Sequence, residues 1–293
     1  MKLKEKAYAK INLFLDVLSV RSDGFHNIRS VMHSLDLSDT LEISIEENEN
    51  TVITLSTDID LPVDINNLAY RAAKVYLDGA GIAARIDIRI SKRIPISAGL
   101  GGGSSDAAAV LRALNKAYGA YDREGLIKSA LSIGSDVPYA LFGGTAICEG
   151  RGEPVSHVTL NDELFFVVSK SDDSVSARDA YTDLDSKYMS DSGALLLDRD
   201  YSAAPQISFS SATGLIQAPI FNVFESVVGD KLAGVASIKE ILYANGALAS
   251  LMSGSGPAVF AIFDKKSKAE NATAELRSLG YYAVTALSAP DFS

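Results

Sequence analysis

Pro95-Ile96-Ser97-Ala98-Gly99-Leu100-Gly101-Gly102-Gly103-Ser104-Ser105-Asp106 runs without a break into Ala107-Ala108-Ala109-Val110-Leu111. Four glycines fall within five positions. Before them Ile86, Ile88 and Ile90 alternate with Asp87 and Arg89, the period of a strand. After them Ala107, Val110, Leu111 and Leu114 recur at helical spacing, so the loop opens a helix, with Ser104, Ser105 and Asp106 suited to its cap and first turn. A helix start presents unpaired N–H groups and a partial positive charge. Glycine lets a backbone approach a bulky anion with no Cβ between. Together these make a cradle for phosphate; the plainer alternative is a flexible strand-to-helix connection. No Lys follows the glycines, so this is not a Walker loop, and Ser104 stands where a dinucleotide fingerprint needs its third glycine. A different nucleotide-binding architecture is implied.

The chain of 293 residues suffices for one large domain or two ordinary ones. Its 47% hydrophobic and 22% charged residues are those of a globular protein. A net charge of −10 argues against general binding to nucleic acid or an anionic membrane. Phosphate must then be bound locally, by amides and a few cations. The single cysteine, Cys148, excludes an internal disulfide and a cysteine metal cluster and points to a reducing compartment. Met1-Lys2-Leu3-Lys4-Glu5-Lys6 has neither the apolar run of a signal peptide nor the character of a transit peptide. No stretch approaches the roughly 18 apolar residues of a membrane helix. A cytoplasmic protein is expected, without repeats or low-complexity segments.

Working outward, Leu3–Tyr8 and Ile11–Leu18 read as two strands, and Leu41–Ile45 and Val52–Leu55 as two more, joined in a hairpin around Glu46–Asn50. Asn67 suits the cap of a helix with face Leu68, Ala72, Val75 and Tyr76, closed by Gly79. Asp122 starts a further helix, and Ser135-Asp136-Val137-Pro138 a short one stopped by Gly143-Gly144. Thr145–Glu149 is a strand. In the second half Leu164–Ser169, Leu248–Met252, Val259–Phe263 and Tyr282–Leu287 read as strands. Ser176 and Asp179 fit a capping box. Phe221–Val228, Val235–Asn245 and the Ala269–Leu279 face read as helices. The order β-α-β-β-α-β with one extra helix suggests a ferredoxin-like sandwich. The break at Gly152-Glu153-Pro154 divides the chain into 1–154 and 155–293. Asp172–Ser211 is polar and irregular, a candidate mobile flap.

Several residues stand out chemically. Lys10 lies among apolar strand residues, where a buried charge needs a partner; it reads as an edge-strand lysine or a site residue. Asp136 is an N-cap or a general base. Beside a Lys and at a helix start it would stay ionised and weakly basic, which phosphoryl transfer tolerates. His26, His33 and His157 lack metal-ligand spacing. His26 beside Phe25 is either structural or suited to reading a heterocycle. Ser253-Gly254-Ser255-Gly256-Pro257 is a hairpin turn or faces the first glycine loop across a cleft.

Ala9-Lys10-Ile11-Asn12-Leu13, Pro95–Ala108 and Met252-Ser253-Gly254-Ser255-Gly256-Pro257, in that order, resemble the GHMP kinase superfamily. Arg21-Ser22-Asp23-Gly24-Phe25-His26 and Gly134-Ser135-Asp136-Val137-Pro138 resemble segments of its 4-diphosphocytidyl-2-C-methyl-D-erythritol kinase family. The resemblance covers nearly the whole chain. It implies an α+β, two-domain GHMP kinase fold: an N-terminal ribosomal protein S5 domain 2-like part and a C-terminal ferredoxin-like sandwich. It implies ATP-dependent phosphorylation of the 2-hydroxyl of 4-diphosphocytidyl-2-C-methyl-D-erythritol in the non-mevalonate route to isoprenoid precursors, with ATP and Mg²⁺, small-molecule ligands, no nucleic acid or membrane partner, and a monomer or homodimer. By position the resemblance puts the catalytic pair on Lys10 and Asp136. It puts the ATP loop on Pro95, Gly99, Leu100, Gly101, Gly102, Gly103, Ser104 and Ser105. Asn67 and Lys92 fall near the adenosine, and Asn12, Phe25 and His26 at the substrate. Two departures are visible: Phe25 replaces a usual Tyr, and Val223 in Asn222-Val223-Phe224-Glu225 replaces a usually polar residue.

Overall fold

The computed structural model describes residues 1–160, 164–190, 204–211, 214–228 and 231–292. The backbone of the fold is one antiparallel pair, β1 (Lys2–Val20) and β2 (His26–Glu47), in register from Lys2↔Ser44 to Val20↔His26. The two segments expected at the N-terminus are thus one strand. Register shifts at Tyr8/Ala9 and Asn12/Phe14 interrupt its alternation, and every residue from Ala9 to Val17 is buried. β2 begins at His26, well before the alternating Leu41–Ile45 that reveals it.

β2 forks. Ile28–His33 pairs with β5 (Thr145–Gly150), while Thr40–Glu47 pairs with β4 (Ala84–Ser91). β3 (Val52–Thr57) lies parallel to β4, and the expected β2–β3 hairpin does not form. β4 occupies the edge of β2 that the hairpin would need. α1 (Leu68–Ala80) supplies the crossover that a parallel pair requires. Asn67 caps this helix, its side chain accepting from the Ala69 N–H; the helix ends at Gly81, φ +65°, two residues past the expected Gly79.

α2 (Gly102–Tyr118) starts inside the glycine run, capped by Gly101 at φ +70°, and not at Ser104. Only a glycine fits there, because a Cβ would sit 2.8 Å from Lys10 Cγ. Ser105 is turned inward, its Oγ donating to Tyr8 O at 2.6 Å. α3 (Arg123–Ile133) and α4 (Val137–Phe142) follow and pack with α1 and α2 on one face of the large sheet, around Leu41, Ile43, Ile86 and Ile88.

β5 turns at Gly152 into β6 (Glu153–Leu160), so the sheet runs on past residue 154. β8 (Gln206–Ser211), β9 (Gly214–Pro219) and β10 (Phe221–Asn222) complete a nine-stranded sheet ordered β10-β1-β2-β5-β6-β8-β9, with β4 and β3 branching from β2. Phe221–Val228 is therefore not one helix. Phe221 and Asn222 pair in parallel with Phe14 and Leu15, which leaves only Glu225–Val228 to form α6.

β7 (Phe165–Lys170), β11 (Ala249–Met252), β12 (Ala258–Phe263) and β13 (Tyr282–Ala286) make a second, antiparallel sheet ordered β11-β12-β7-β13. With α7 (Ala233–Ala244) and α8 (Lys266–Ser278) this is the ferredoxin-like unit the element order suggested. Ile11, Leu13 and Val31 of the large sheet meet Phe166, Val168 and Phe260 of the small one, so a continuous core joins the two. The expected α+β architecture of two joined parts is thus in place. Among the described residues no helix is long and apolar enough to cross a membrane. Of the candidate flap, 191–203 lies outside the described residues; Ala177–Tyr188 of it is a helix, α5, behind the expected Ser176 cap.

Beneath the start of α2, the Lys92 ammonium bonds both Asp39 and Asp106, all three groups nearly sealed from solvent. Burial lowers the Lys92 pKa, but the two carboxylates outweigh it and the net shift is upward. One cation cannot balance two anions, and Asp106 Oδ1 has no hydrogen-bond partner. Burial pushes the Asp106 carboxyl up to about 7, against the pull of Lys92. A raised acid pKa in the folded state gives stability that is full below the unfolded value of 3.8 and is lost as pH rises toward about 7. Asp106→Asn should flatten that dependence: its melting temperature should fall less than the wild type's as pH rises through that window. Parallel curves by differential scanning calorimetry would contradict the assignment.

Candidate active site

Lys10 and Asn12 are two apart on β1 and share one face of the strand. Lys10 Nζ donates to Asn12 Oδ1 at 2.7 Å, Asn12 Nδ2 to Ser30 Oγ at 2.8 Å, and Ser30 Oγ to Phe14 O at 2.7 Å. This chain of bonds aims the ammonium at Asp136, whose Oδ2 lies 3.5 Å away. The Lys10 side chain is 7% exposed and that of Asp136 31%. Asp136 stands at the start of α4, yet makes no side-chain cap bond. Its carboxylate is thus turned toward Lys10 and the cleft instead.

The two glycine loops close around this pair. Lys10 N–H donates to Leu100 O at 2.9 Å. Gly99, at φ +81°, comes so near the second loop that a Cβ would lie 2.0 Å from Ser253 O. Ser253 Oγ donates to Gly99 O at 3.0 Å and Ala258 N–H to Ala98 O at 3.1 Å. Ser253–Pro257 therefore both joins β11 to β12 and faces the first loop. Within α2 the first amide bond runs from Ser105 N–H to Gly101 O. The Gly102, Gly103 and Ser104 amides are thus left without an intrahelical acceptor, the arrangement that favours an anion.

These groups open on a cleft of about 840 Å³. Ser97, Gly99, Gly101, Ser104 and Gly254–Gly256 line it beside Lys10, Asn12 and Asp136. A second set of lining residues surrounds His26. Its Nε2 lies 2.8 Å from Asp185 Oδ1, and its ring stacks on Tyr181 with centroids 4.5 Å apart. Tyr181 meets Phe224 edge-on at 4.8 Å, and burial pushes its phenol pKa upward. Phe25 is 46% exposed, with the Arg151 guanidinium 3.8 Å over its ring. Arg151 also lines the cleft, and its Nε is buried without a hydrogen-bond partner.

The cleft thus gathers Lys10, Asp136, Asn12, Phe25, His26, Gly99, Gly101 and Ser104. It does not bring in every residue expected there. Asn67 is spent on its helix cap and on Pro62 O. Lys92 is locked between Asp39 and Asp106, its Nζ 3.4 Å from where a Gly102 Cβ would stand. Leu100 is core, and Ser105 bonds Tyr8; Pro95 precedes the lining residues, and Gly102 and Gly103 offer only main chain. Sequence reading missed Arg151, Arg178, Tyr181 and Asp185. The signal was faint: Ala177, Tyr181 and Asp185 form an i, i+4 row behind a recognisable cap.

Residues 67–144 match the family described as GHMP kinases N terminal domain, and residues 198–281 that described as GHMP kinases C terminal. Fold and cleft therefore define a GHMP kinase, an enzyme that takes ATP as its cosubstrate. A 4-diphosphocytidyl-2-C-methyl-D-erythritol kinase of Caldicellulosiruptor saccharolyticus is 39% identical over 93% of this chain and 92% of its own. One of Clostridium tetani is 35% identical over 94% and 96%. A crystal structure of 4-(cytidine 5'-diphospho)-2C-methyl-D-erythritol kinase superposes with a TM-score of 0.75 at 30% identity, over 98% of this chain and 100% of that one. The chain belongs to the 4-diphosphocytidyl-2-C-methyl-D-erythritol kinase family.

The contact between loops gives a direct test. Gly99→Ala must force the loops apart, and ADP binding by calorimetry should weaken roughly tenfold or more, about 1.4 kcal/mol. Gly119 has φ +62° with nothing within 4 Å, so Gly119→Ala is the control for backbone strain alone. Equal affinities in the two variants would show that loop contact does not shape the site.

Proposed function

We propose that the chain transfers the terminal phosphoryl group of ATP to the 2-hydroxyl of 4-diphosphocytidyl-2-C-methyl-D-erythritol, in the non-mevalonate route to isoprenoid precursors, with Lys10 and Asp136 as its catalytic pair. The observation that carries this reading is their 3.5 Å approach in front of two interlocked glycine loops. Asp136 orients the hydroxyl and takes its proton. A carboxylate beside an ammonium is a weak base, but a loose phosphoryl-transfer transition state asks for little early deprotonation. Lys10, held by Asn12, faces the Asp136 carboxylate and offsets charge on the group in flight. The amides of Gly101 to Ser104 and the Gly254–Gly256 loop receive the nucleotide phosphates.

Mg²⁺ fits this donor set. No cluster of three or more metal-binding side chains occurs among the described residues. Mg²⁺ needs only one or two carboxylates beside substrate phosphates and water. Asp136 and Ser104, a carboxylate and a hydroxyl that line the cleft beside Lys10 and the first glycine loop, would hold it. When bound, the ion neutralises charge between the phosphates.

The His26 set suits the cytidyl group. Phe25 and Tyr181 offer aromatic faces, and His26, fixed by Asp185, offers a hydrogen-bonding edge. Asn67 and Lys92 fit a supporting role, holding α1 and the floor under Gly102, better than contact with adenosine. We also read the chain as two domains, 1–154 and 155–293, the second lending most of β6 and all of β8–β10 to the large sheet. A cytoplasmic setting belongs to the same reading, supported by Cys148 as a buried free thiol.

ADP release is expected with the cytidyl substrate and not with homoserine or mevalonate. His26→Ala should raise the KM for the cytidyl substrate roughly tenfold or more and spare that for ATP. Turnover of homoserine or mevalonate at comparable kcat/KM, or an equal rise in both KM values, would overturn the substrate assignment.

A further inference from the structure

Asn222-Val223-Phe224-Glu225 does not carry the cytidyl or phosphate contacts proposed above, yet it is tied to both walls of the cleft. Asn222 is 2% exposed. Its Nδ2 donates to Met252 O at 2.8 Å and to Gly254 O at 2.7 Å, while its Oδ1 accepts from Phe224 N–H at 3.0 Å. Both amide hydrogens are thus spent on the second glycine loop. Glu225 Oε1 accepts from Met252 N–H at 2.7 Å, and both its oxygens accept from Lys239 Nζ, at 2.9 and 2.8 Å. The N–H and the C=O of Met252 are therefore both gripped by side chains of this one segment. Val223 N–H donates to Leu15 O at 2.9 Å, and Phe221–Asn222 runs parallel to Phe14–Leu15. The Val223 side chain is core, which accounts for an apolar residue there.

Four residues thus fasten the Ser253–Gly256 loop of the small sheet to β1, the strand that bears Lys10. Gly254 is where that matters, since a Cβ on it would lie 3.4 Å from Lys10 Nζ and 3.2 Å from Gly99 O. We infer that Asn222 and Glu225 are positioning residues for phosphoryl transfer, setting Gly254–Gly256 at the separation from Lys10 and Gly99 at which both loops meet the nucleotide. This rests on the phosphate role proposed above for the glycine loops. Neither residue touches the reacting atoms. Asn222→Asp would set carboxylate oxygen against two carbonyl oxygens and push the loop away. A displacement of about 1 Å costs roughly 10²-fold in such a site. Glu225→Ala strips the acceptor from Met252 N–H, whereas Glu225→Gln keeps one.

The experiment is steady-state kinetics and ADP calorimetry on the full chain and these three variants. Asn222→Asp and Glu225→Ala should lose about 10²-fold in kcat and bind ADP roughly tenfold more weakly, with the KM for the cytidyl substrate within about twofold. Glu225→Gln should recover to within about fivefold of wild type, a rescue that loss of folding stability does not predict. The proposal fails if Asn222→Asp and Glu225→Ala keep wild-type ADP affinity, or if Glu225→Gln is as impaired as Glu225→Ala. Should Asn222→Asp not fold, the Glu225 pair decides alone. Should the wild type bind ADP but not turn over the cytidyl substrate, the substrate reading falls, and ADP affinity still decides this one.

Discussion

A lysine ammonium with 7% of its side chain exposed must be compensated, or its burial costs several kcal/mol. Lys10 is compensated by Asn12 on its own strand and by Asp136 from the start of α4. Those partners fix where the surrounding main chain can run. Gly101 has to lack a Cβ because the Lys10 stem occupies that space, and Gly254 passes close to its Nζ. Gly101 and Gly254 are therefore dictated by the cation they enclose. Gly99 adds a third constraint, the near contact between the loops of the two sheets.

The rest of the fold supplies the frame for that packing. The β1–β2 pair carries Lys10, Asn12 and His26, and the core between the sheets holds the second loop opposite them. α5 brings Tyr181 and Asp185 against His26. Although the chain carries a net charge of −10, Lys10, Arg151 and Arg178 converge on one cleft. The same cleft is lined by Asp136 and Asp185, so its cations and carboxylates lie side by side. Under the floor, Lys92 is consumed by Asp39 and Asp106 and contributes to the scaffold rather than to the ligand.

The parts of this arrangement readable in the sequence are those with local causes. The glycine run, the Asn67 and Ser176 caps and the alternating isoleucines of β4 are fixed by near neighbours, and they stand where their patterns put them. The ferredoxin-like order survives because each strand is short, apolar and flanked by turns. What failed depends on distant partners. β2 hides its first half because Ser30, His33 and Ser34 are buried polar residues that break the alternation, each satisfied from elsewhere in the chain or strand. β3 chooses β4 over β2 for reasons of edge availability, which no turn signal reports. Phe221–Val228 has helical composition but is captured by β1. In the site, Lys10 and Asp136 were visible as residue types that needed explaining, and they lie 3.5 Å apart. Arg151 and Asp185 were not, since charged residues in polar stretches usually face solvent. Lys92 was misplaced because its two carboxylate partners lie 53 and 14 residues away in the chain.

The most direct test of the central pairing is a double-mutant cycle on kcat with Lys10→Met, Asp136→Asn and the two combined. If ammonium and carboxylate act on one hydroxyl as a unit, each single change should cost roughly 10²–10⁴-fold and the double variant should be scarcely slower than the worse single. Losses that multiply, with the double variant slower by the product of the two singles, would mean that Lys10 and Asp136 work independently and would contradict the account.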